Sequence, residues 1–154
     1  YAGGSVGAIR SALAMRSCLA DYNAGRVRAG YAPLEMGVGI HGEPGRARIP
    51  FAPANELTDH LVDAILADLS LDGGQVLLFV NGMGGTPEAE LYIVYGHARQ
   101  RLEAAGLQVT RSLVGNYITS LEMQGCSVTV LKLDAELTEL WDAPVHTVAL
   151  RRGI

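Results

Sequence analysis

The chain has 154 residues, of which 49% are hydrophobic and 18% are charged, and its formal net charge at neutral pH is -4. This length fits one domain with a sizeable core, and this composition excludes a disordered chain. The negative charge argues against nucleic acid as a partner. The sequence has no apolar run of membrane-spanning length and no basic-then-apolar leader, so we expect a cytoplasmic protein that does not act in a membrane.

The two cysteines, Cys18 and Cys126, lie far apart in the sequence and match no metal-ligand spacing. We therefore expect free thiols in a reducing compartment. Neither an HExxH motif nor a Cys/His cluster is present, so the sequence predicts no metal site.

The N-terminal part of the chain is predicted to contain one helix and one strand. Residues 6–23 carry an imperfect apolar stripe at helical spacing, and the arginine- and glycine-rich residues 24–33 are predicted to form a loop. The short apolar run 34–40 is predicted to be a strand. It ends at His41, which places this side chain at the end of a strand, a common location for functional groups.

His41 lies in a turn built from glycine, glutamate and proline. Gly39 and Gly42 leave the backbone open to close approach by a ligand, and Pro44 stiffens the exit of the turn. A neutral imidazole can act as a base, a metal ligand or a nucleophile, but the turn alone fits a reactive histidine and a structural one equally well. Glu43 can orient the loop or the imidazole, and a turn-stabilising or exposed role fits its position as well.

The middle of the chain predicts a helix, a buried strand and a glycine-rich loop. Apolar residues recur every four positions over residues 55–69, which predicts the helix, and the continuous apolar run 75–80 is typical of a strand buried on both faces. The sequence NGMGGT at residues 81–86 follows this strand and precedes a helix, an arrangement that can form an anion-binding nest. It lacks the lysine of a P-loop, so a structural turn or a loop lining a substrate pocket is preferred. The candidate pocket residues are Asn81, Gly84, Gly85 and Thr86.

The C-terminal half predicts helices and strands in mixed order. Thr86 is predicted to cap a helix whose first residue is Pro87 and which Gly106 ends. The elements predicted after it are a strand over 107–114, an irregular turn or short helix over 115–125, a strand over 126–133, a capped helix over 134–141 and a strand over 145–150. Asn116 and Thr119 are candidate capping or pocket groups in residues 115–125, and capping is preferred. This order predicts an α/β protein, a two-layer sandwich with a mixed β-sheet and flanking helices.

Three separate stretches of the sequence resemble one known family. VGIHGEPG around His41, LLFVNGMGGTPEAELYIV over residues 77–94 and VGNYITSLEMQGCSVTVLKL over residues 114–133 are similar to the substrate-binding subunit or domain of dihydroxyacetone kinases, and they occur in the family's order. The resemblance implies that residues 35–154 form the C-terminal α/β domain of such a subunit. Residues 1–34 match the family poorly.

The resemblance implies a chemical role for His41. The corresponding histidine of the family attacks the carbonyl carbon of dihydroxyacetone and forms a covalent hemiaminal, so His41 is the expected catalytic residue, and Gly42 and Glu43 are expected to contact the substrate. Because glycerol has no carbonyl, this adduct would discriminate against it. No cofactor is expected on this chain. ATP with magnesium, or a phosphorylated carrier, is expected on a partner kinase subunit or domain, and a homodimer is expected by analogy.

Two alternatives to a kinase component remain open at this stage. A non-catalytic sensor that resembles the subunit would bind the triose at His41 and act on a regulatory partner. An inactive fragment would carry an unreactive His41, because the family's N-terminal groups have no recognised counterpart before Glu35. The sequence also opens without a methionine, which indicates a piece of something longer. The preferred hypothesis is a dihydroxyacetone kinase component.

Overall fold

A computed structural model of the chain describes residues 8–9, 34–36, 47–50, 52–68, 72–119 and 123–153. His41, Gly42 and Glu43 lie outside these residues, as does Cys18. Within them the helices are α1 (Ala54–Asp68), α2 (Glu88–Ala104) and α3 (Ala135–Asp142), and the strands are β1 (Ala8–Ile9), β2 (Leu34–Met36), β3 (Ala47–Ile49), β4 (Gly74–Gly82), β5 (Leu107–Gly115), β6 (Cys126–Lys132), β7 (Val145–His146) and β8 (Arg151–Arg152). None of these helices is long and apolar enough to span a membrane.

The main sheet is mixed, with the strand order β1-β6-β4-β5. The central strand β4 runs parallel to β5 and antiparallel to β6, and the short strand β1 adds antiparallel to β6. This arrangement confirms the predicted α/β class with a mixed sheet. The helix predicted over residues 6–23 is wrong at Ala8–Ile9, because pairing with the edge of β6 overrides a weak helical pattern there. The other residues of that prediction lie outside the described part of the chain.

Helices α1 and α2 cover one face of the main sheet and form the core with it. Alternate residues of β4 and β6 point toward the helices, as the two-residue period of a strand requires. The helical stripe predicted from the sequence supplies the other side of the core. The fully buried residues of these elements include Leu57, Leu61 and Ile65 of α1, Val76, Leu78 and Val80 of β4, Leu91, Val94, Ala98 and Leu102 of α2, and Val128 and Val130 of β6.

A bulge in β5 sets how its residues face the helices. Val76 of β4 pairs with Val109, whereas the next residue, Leu77, pairs with Arg111, so β5 carries one extra residue at this point. In a regular strand, residues that are an odd number of positions apart face opposite sides of the sheet. Because of the extra residue, Val109 and Val114 both pack against the core, although they are five positions apart. Beyond the bulge the register is regular, and the two parallel strands end level with each other.

The C-terminal segment confirms one prediction and corrects another. The side chain of Asp134 caps α3 by accepting a hydrogen bond from Leu137 N at 2.8 Å, as the capped helix requires. The single strand predicted over residues 145–150 is instead the hairpin of β7 and β8. Thr147 breaks the strand because its hydroxyl accepts from Leu150 N at 3.0 Å and its own amide donates to Leu150 O at 2.9 Å.

Candidate functional site

The parallel strands β4 and β5 end beside each other, and β6 begins at the same edge. Asn81 of β4 pairs with Gly115 of β5, and Gly82 pairs with Cys126 of β6. The residues that follow or precede these strand ends therefore converge. We call residues 81–86, 115–119 and 123–125 the loop edge. Ligands of open α/β sheets bind at the carboxyl ends of parallel strands, which makes the loop edge the candidate site within the described residues.

The Asn81 side chain is buried and hydrogen-bonded to the turn that follows β5. Its Oδ1 atom accepts hydrogen bonds from Tyr117 N at 3.0 Å and Ile118 N at 2.8 Å, and its Nδ2 atom donates to Ile118 O at 2.7 Å. A buried amide needs such partners, since an unpaired polar group costs free energy. Asn81 thereby fixes the position of residues 117 and 118. Its direct contact with a ligand stays a prediction.

Thr86 holds the loop edge together from the other side. Its buried hydroxyl donates to Gly125 O at 2.9 Å and accepts from Gly125 N at 2.8 Å. The prediction that Thr86 caps α2 is wrong, because the N-cap residue is Pro87 and no side chain caps the helix. The hydroxyl that would cap the helix is committed to Gly125. Its role in lining a pocket stays a prediction.

Three successive amides of the glycine-rich loop donate to protein acceptors. Met83 N donates to Gly125 O at 3.1 Å, Gly84 N donates to Asn116 Oδ1 at 3.2 Å, and Gly85 N donates to Met123 O at 3.1 Å. The anion-nest interpretation of this loop is therefore wrong, since a nest requires amides free to bind a ligand. The preferred prediction that Asn116 is a capping group is also wrong, because its side-chain oxygen accepts from Gly84 N. Its alternative role as a pocket group stays a prediction.

Two glycines give the loop its shape. Gly84 has a φ of 100°, a conformation that favours glycine. A Cβ atom on Gly82 would lie 2.2 Å from Asn116 Oδ1 and 2.9 Å from Leu91 Cδ1. The Asn116 side chain can thus reach Gly84 only because residue 82 lacks a side chain. The sequence does not show that residues 82–84 and Asn116 lie this close to each other.

A carboxylate with an unpartnered oxygen lies in the first turn of α2, next to the loop edge in sequence. The Oε2 atom of Glu90 is buried and has no hydrogen-bond partner, and burial raises the pKa of this carboxyl above its ordinary value. The sequence places Glu90 in the favourable field of a helix N-terminus. It gives no sign of the burial.

A second polar cluster joins α1 to α2. His97 Nε2 and Arg101 Nε each lie 2.9 Å from Asp59 Oδ1, and Arg101 also pairs with Asp63. These contacts, chiefly that with Asp63, raise the pKa of Arg101. His97 is half-buried and contacts Asp59 of α1 from α2. Across the described residues, no group of three or more histidine, cysteine, aspartate or glutamate side chains could hold a metal ion.

The predicted site residues thus fall into two sets. Asn81, Gly84, Gly85 and Thr86 meet at the loop edge, together with Asn116, which the sequence offered as a capping or pocket group. Met123 and Gly125 also lie there, and sequence reasoning did not assign them to it. The residues His41, Gly42 and Glu43 lie outside the described residues. They belong to the segment that joins Met36 of β2 to Ala47 of β3, which are register partners in an antiparallel pair.

This geometry defines the class of the protein as an α/β domain with a mixed sheet and a hydrogen-bonded loop edge. The family model described as the Dak1 domain matches residues 8–149, and the chain belongs to this family. Among curated proteins, the dihydroxyacetone-binding subunit DhaK of the PEP-dependent dihydroxyacetone kinase of Escherichia coli strain K12 is 41% identical to it. That alignment covers 78% of this chain and 41% of the relative, so the chain spans less than half of the relative's length.

Two solved structures resemble the fold. One comes from work on the regulation of the dha operon of Lactococcus lactis, with a TM-score of 0.71 and 29% identity over 86% of this chain and 39% of that one. The other is the dihydroxyacetone kinase operon co-activator Dha-DhaQ, with a TM-score of 0.68 and 31% identity over 73% of this chain and 36% of that one. The family resemblance stated from the sequence is confirmed.

Proposed function

We propose that this chain is the histidine-bearing part of a dihydroxyacetone kinase substrate subunit and binds dihydroxyacetone, or a related short-chain ketose or aldose, at His41. The proposal rests on the match of the Dak1 family model to residues 8–149. A relative of this chain carries a name that records dihydroxyacetone binding. His41 lies within the matched range. Its turn, VGIHGEPG, is also one of the stretches that carry the resemblance.

The proposed step is an addition to the triose carbonyl. A neutral imidazole nitrogen of His41 forms a bond to the carbonyl carbon while the C=O π bond breaks, the oxygen takes up a proton, and the imidazole gives up its N–H proton. The product is a neutral hemiaminal, and no atom of the triose is lost. Gly42 would permit close approach of the substrate, and Glu43 would accept a hydrogen bond from it.

The loop edge is proposed to line the triose pocket. Asn81, Gly84, Gly85 and Thr86 lie at the carboxyl ends of parallel strands, the usual place for a ligand in such a sheet. Their hydrogen bonds to residues 116–118 and 123–125 hold this surface in one shape. Such preorganisation favours binding because little side-chain freedom remains to be lost.

Phosphate transfer is assigned to a partner. The donor would be ATP with magnesium or a phosphorylated carrier on a separate kinase subunit or domain, and the name of the Escherichia coli relative specifies PEP dependence. This chain would hold the triose with one hydroxyl presented to that donor. We further propose that the protein acts in the cytoplasm as a homodimer.

Native mass spectrometry with dihydroxyacetone tests the proposal. We expect the chain to gain the mass of one intact triose reversibly, and we expect no gain with glycerol. The His41→Ala variant should lose the adduct. His60→Ala is the matched control, because His60 is an exposed histidine of α1 and its loss should leave the adduct unchanged. An adduct that survives in His41→Ala, or the lack of any adduct on the parent chain and on a longer subunit containing it, would contradict the proposal.

A co-activator is the second candidate, and the likeness to Dha-DhaQ specifically favours it. A co-activator of this fold would bind the triose without passing phosphate to it. A coupled phosphorylation assay with a dihydroxyacetone kinase nucleotide subunit separates the two. Triose phosphate that forms only in the presence of His41 supports the kinase component, whereas an adduct with no turnover supports the co-activator.

A further inference from the structure

The polar groups first expected to bind a ligand at the loop edge are engaged within the chain. The side-chain amide of Asn81 makes three hydrogen bonds and the hydroxyl of Thr86 makes two. The backbone amides of Gly84 and Gly85 each donate to one acceptor. A ligand that used these groups would have to break contacts that hold the loop edge together. These four residues therefore shape the surface, and a hydrogen bond to a ligand has to come from another donor.

Asn116 supplies such a donor. Gly84 N donates to the side chain of Asn116 at 3.2 Å, and an N–H group requires an acceptor, so the amide atom that faces Gly84 is Oδ1. The Nδ2 group lies on the other side of the amide and carries two N–H donors. It bonds to no other atom of the described residues. Because Asn116 is exposed, these donors are open to a ligand that arrives from solvent.

The structure fixes both the backbone and the side chain of Asn116. Gly115 before it pairs with Asn81 at the end of β5, and Asn81 Oδ1 accepts from the amides of the two residues after it. The Asn116 side chain occupies the space that a Cβ atom on Gly82 would fill. Little conformational freedom therefore remains to be lost when the Nδ2 group binds a ligand, and such preorganisation strengthens binding.

The composition of the loop edge suits an uncharged ligand that is rich in oxygen. Residues 81–86, 115–119 and 123–125 include no aspartate, glutamate, lysine, arginine or histidine, so an ionic ligand would meet no opposite charge on them. Ile118, in the same turn as Asn116, is 56% exposed and adds apolar surface. Amide donors together with apolar surface match a short sugar, whose hydroxyl oxygens accept hydrogen bonds and whose C–H groups are apolar.

We propose that Asn116 determines substrate specificity, with its Nδ2 group donating a hydrogen bond to a hydroxyl oxygen of the triose. The inference rests on the proposed function and adds a second point of recognition to it. His41 selects a carbonyl group, which the hemiaminal requires, whereas Asn116 selects a hydroxyl group. A ketone that lacks this hydroxyl leaves the Nδ2 donors without a ligand partner, so it binds more weakly than dihydroxyacetone.

Adduct formation with two ketones tests the inference. Hydroxyacetone has the carbonyl of dihydroxyacetone but one hydroxyl fewer, and native mass spectrometry gives the concentration of each ketone at half-saturation of the adduct. The parent protein should prefer dihydroxyacetone. Asn116→Leu should raise the half-saturation concentration about three- to tenfold for dihydroxyacetone and much less for hydroxyacetone, so the preference should narrow. Gln100→Leu is the matched control, because Gln100 is an exposed amide of α2 outside the loop edge, and it should leave both concentrations unchanged.

Asn116→Asp separates recognition of the ligand from a structural role. Its carboxylate still accepts from Gly84 N, but it cannot donate to an oxygen of the ligand. We expect this variant to narrow the preference for dihydroxyacetone as well. A preference that stays unchanged in either variant, or an equal weakening of both ketones, would overturn the inference and leave the proposed function standing, because the adduct would still form. If neither the parent chain nor a longer subunit containing it forms an adduct, both are overturned.

Discussion

The helix-covered face of the main sheet and the loop edge at its end are stabilised in different ways. Along β4 the two kinds of stabilisation meet at neighbouring residues. Val80 is fully buried among apolar side chains, whereas Asn81 is 2% exposed and makes three hydrogen bonds through its side chain. Apolar burial is non-directional and tolerates substitutions of similar volume. Hydrogen bonds between buried groups depend on geometry.

This difference separates what stabilises the fold from what shapes the candidate site. The face buries enough apolar surface to determine the stability of the domain. The loop edge adds little apolar area, but its hydrogen bonds fix three chain segments relative to one another. Substitutions in the two regions should therefore differ in how much stability they remove and in which part of the structure they disturb.

The largest expected effect is a cavity in the helix-covered face. Leu102 of α2 is fully buried in the core, so Leu102→Ala should lower the free energy of unfolding by about 2–5 kcal/mol. Urea denaturation measures it. Leu140→Ala is the control with the same chemical change, because Leu140 of α3 is 64% exposed and its truncation should cost far less. Equal losses in both variants would contradict the comparison.

A smaller effect is expected where the loop edge meets α2. Gly82→Ala inserts a Cβ atom that would lie 2.2 Å from Asn116 Oδ1, so the Asn116 side chain must leave Gly84 N. We expect a loss of about 1–3 kcal/mol from this overpacking. Gly96→Ala is the control, because a Cβ atom there would meet nothing within 4 Å among the described residues, and it should raise stability. The comparison fails if both glycines tolerate alanine equally.

The hydrogen bonds of Thr86 should contribute less again. Thr86→Val keeps the shape of the side chain but removes both hydrogen bonds to Gly125 and leaves the buried Gly125 N without this partner. A loss of about 1–2 kcal/mol is expected. Thr138→Val removes an exposed hydroxyl that donates to Asp134 O and should cost only a few tenths of a kcal/mol. Equal costs would mean that the bonds to Gly125 do not stabilise the loop edge.

The sequence predicted the helix-covered face well because its signals are local. The periodic leucines of α1, the continuous apolar run of β4, the Gly106 end of α2 and the Asp134 cap of α3 each depend on neighbouring residues. The predictions that failed depend on contacts between distant residues. The hydroxyl of Thr86 caps nothing because Gly125, far along the chain, occupies it. The bulge in β5 likewise requires β4 as its partner.

The sequence predicted where one loop of the loop edge lies along the chain, but not which residues that loop contacts. The sequence predicted a loop at residues 81–86 between a strand and a helix, and the structure has one there. That this loop lines a pocket stays a prediction. The partners of that loop could not be read from the sequence, because Asn116 and Gly125 reach it only through the level ends of the strands. The roles of His41, Gly42 and Glu43 come from the family resemblance and stay predictions.

The smallest effect concerns Glu90, which lies in the first turn of α2. Burial raises its pKa above the ordinary value of 4.5. Its ionised form therefore opposes folding. The stability associated with the neutral form is fully present below pH 4.5, and it is lost as the pH rises through the folded pKa. Glu90→Gln, a neutral isostere, should thus raise the urea midpoint at pH 7 and leave it unchanged at pH values below 4.5.

Glu88→Gln is the matched control for this prediction. Glu88 lies in the same turn of α2 but is exposed, so its charge interacts favourably with the helix dipole without a burial cost. Its replacement should lower the urea midpoint slightly at pH 7, the opposite sign from Glu90→Gln. If both variants lose stability at pH 7, the favourable interaction with the helix dipole outweighs the cost of burial at Glu90, and the prediction is wrong.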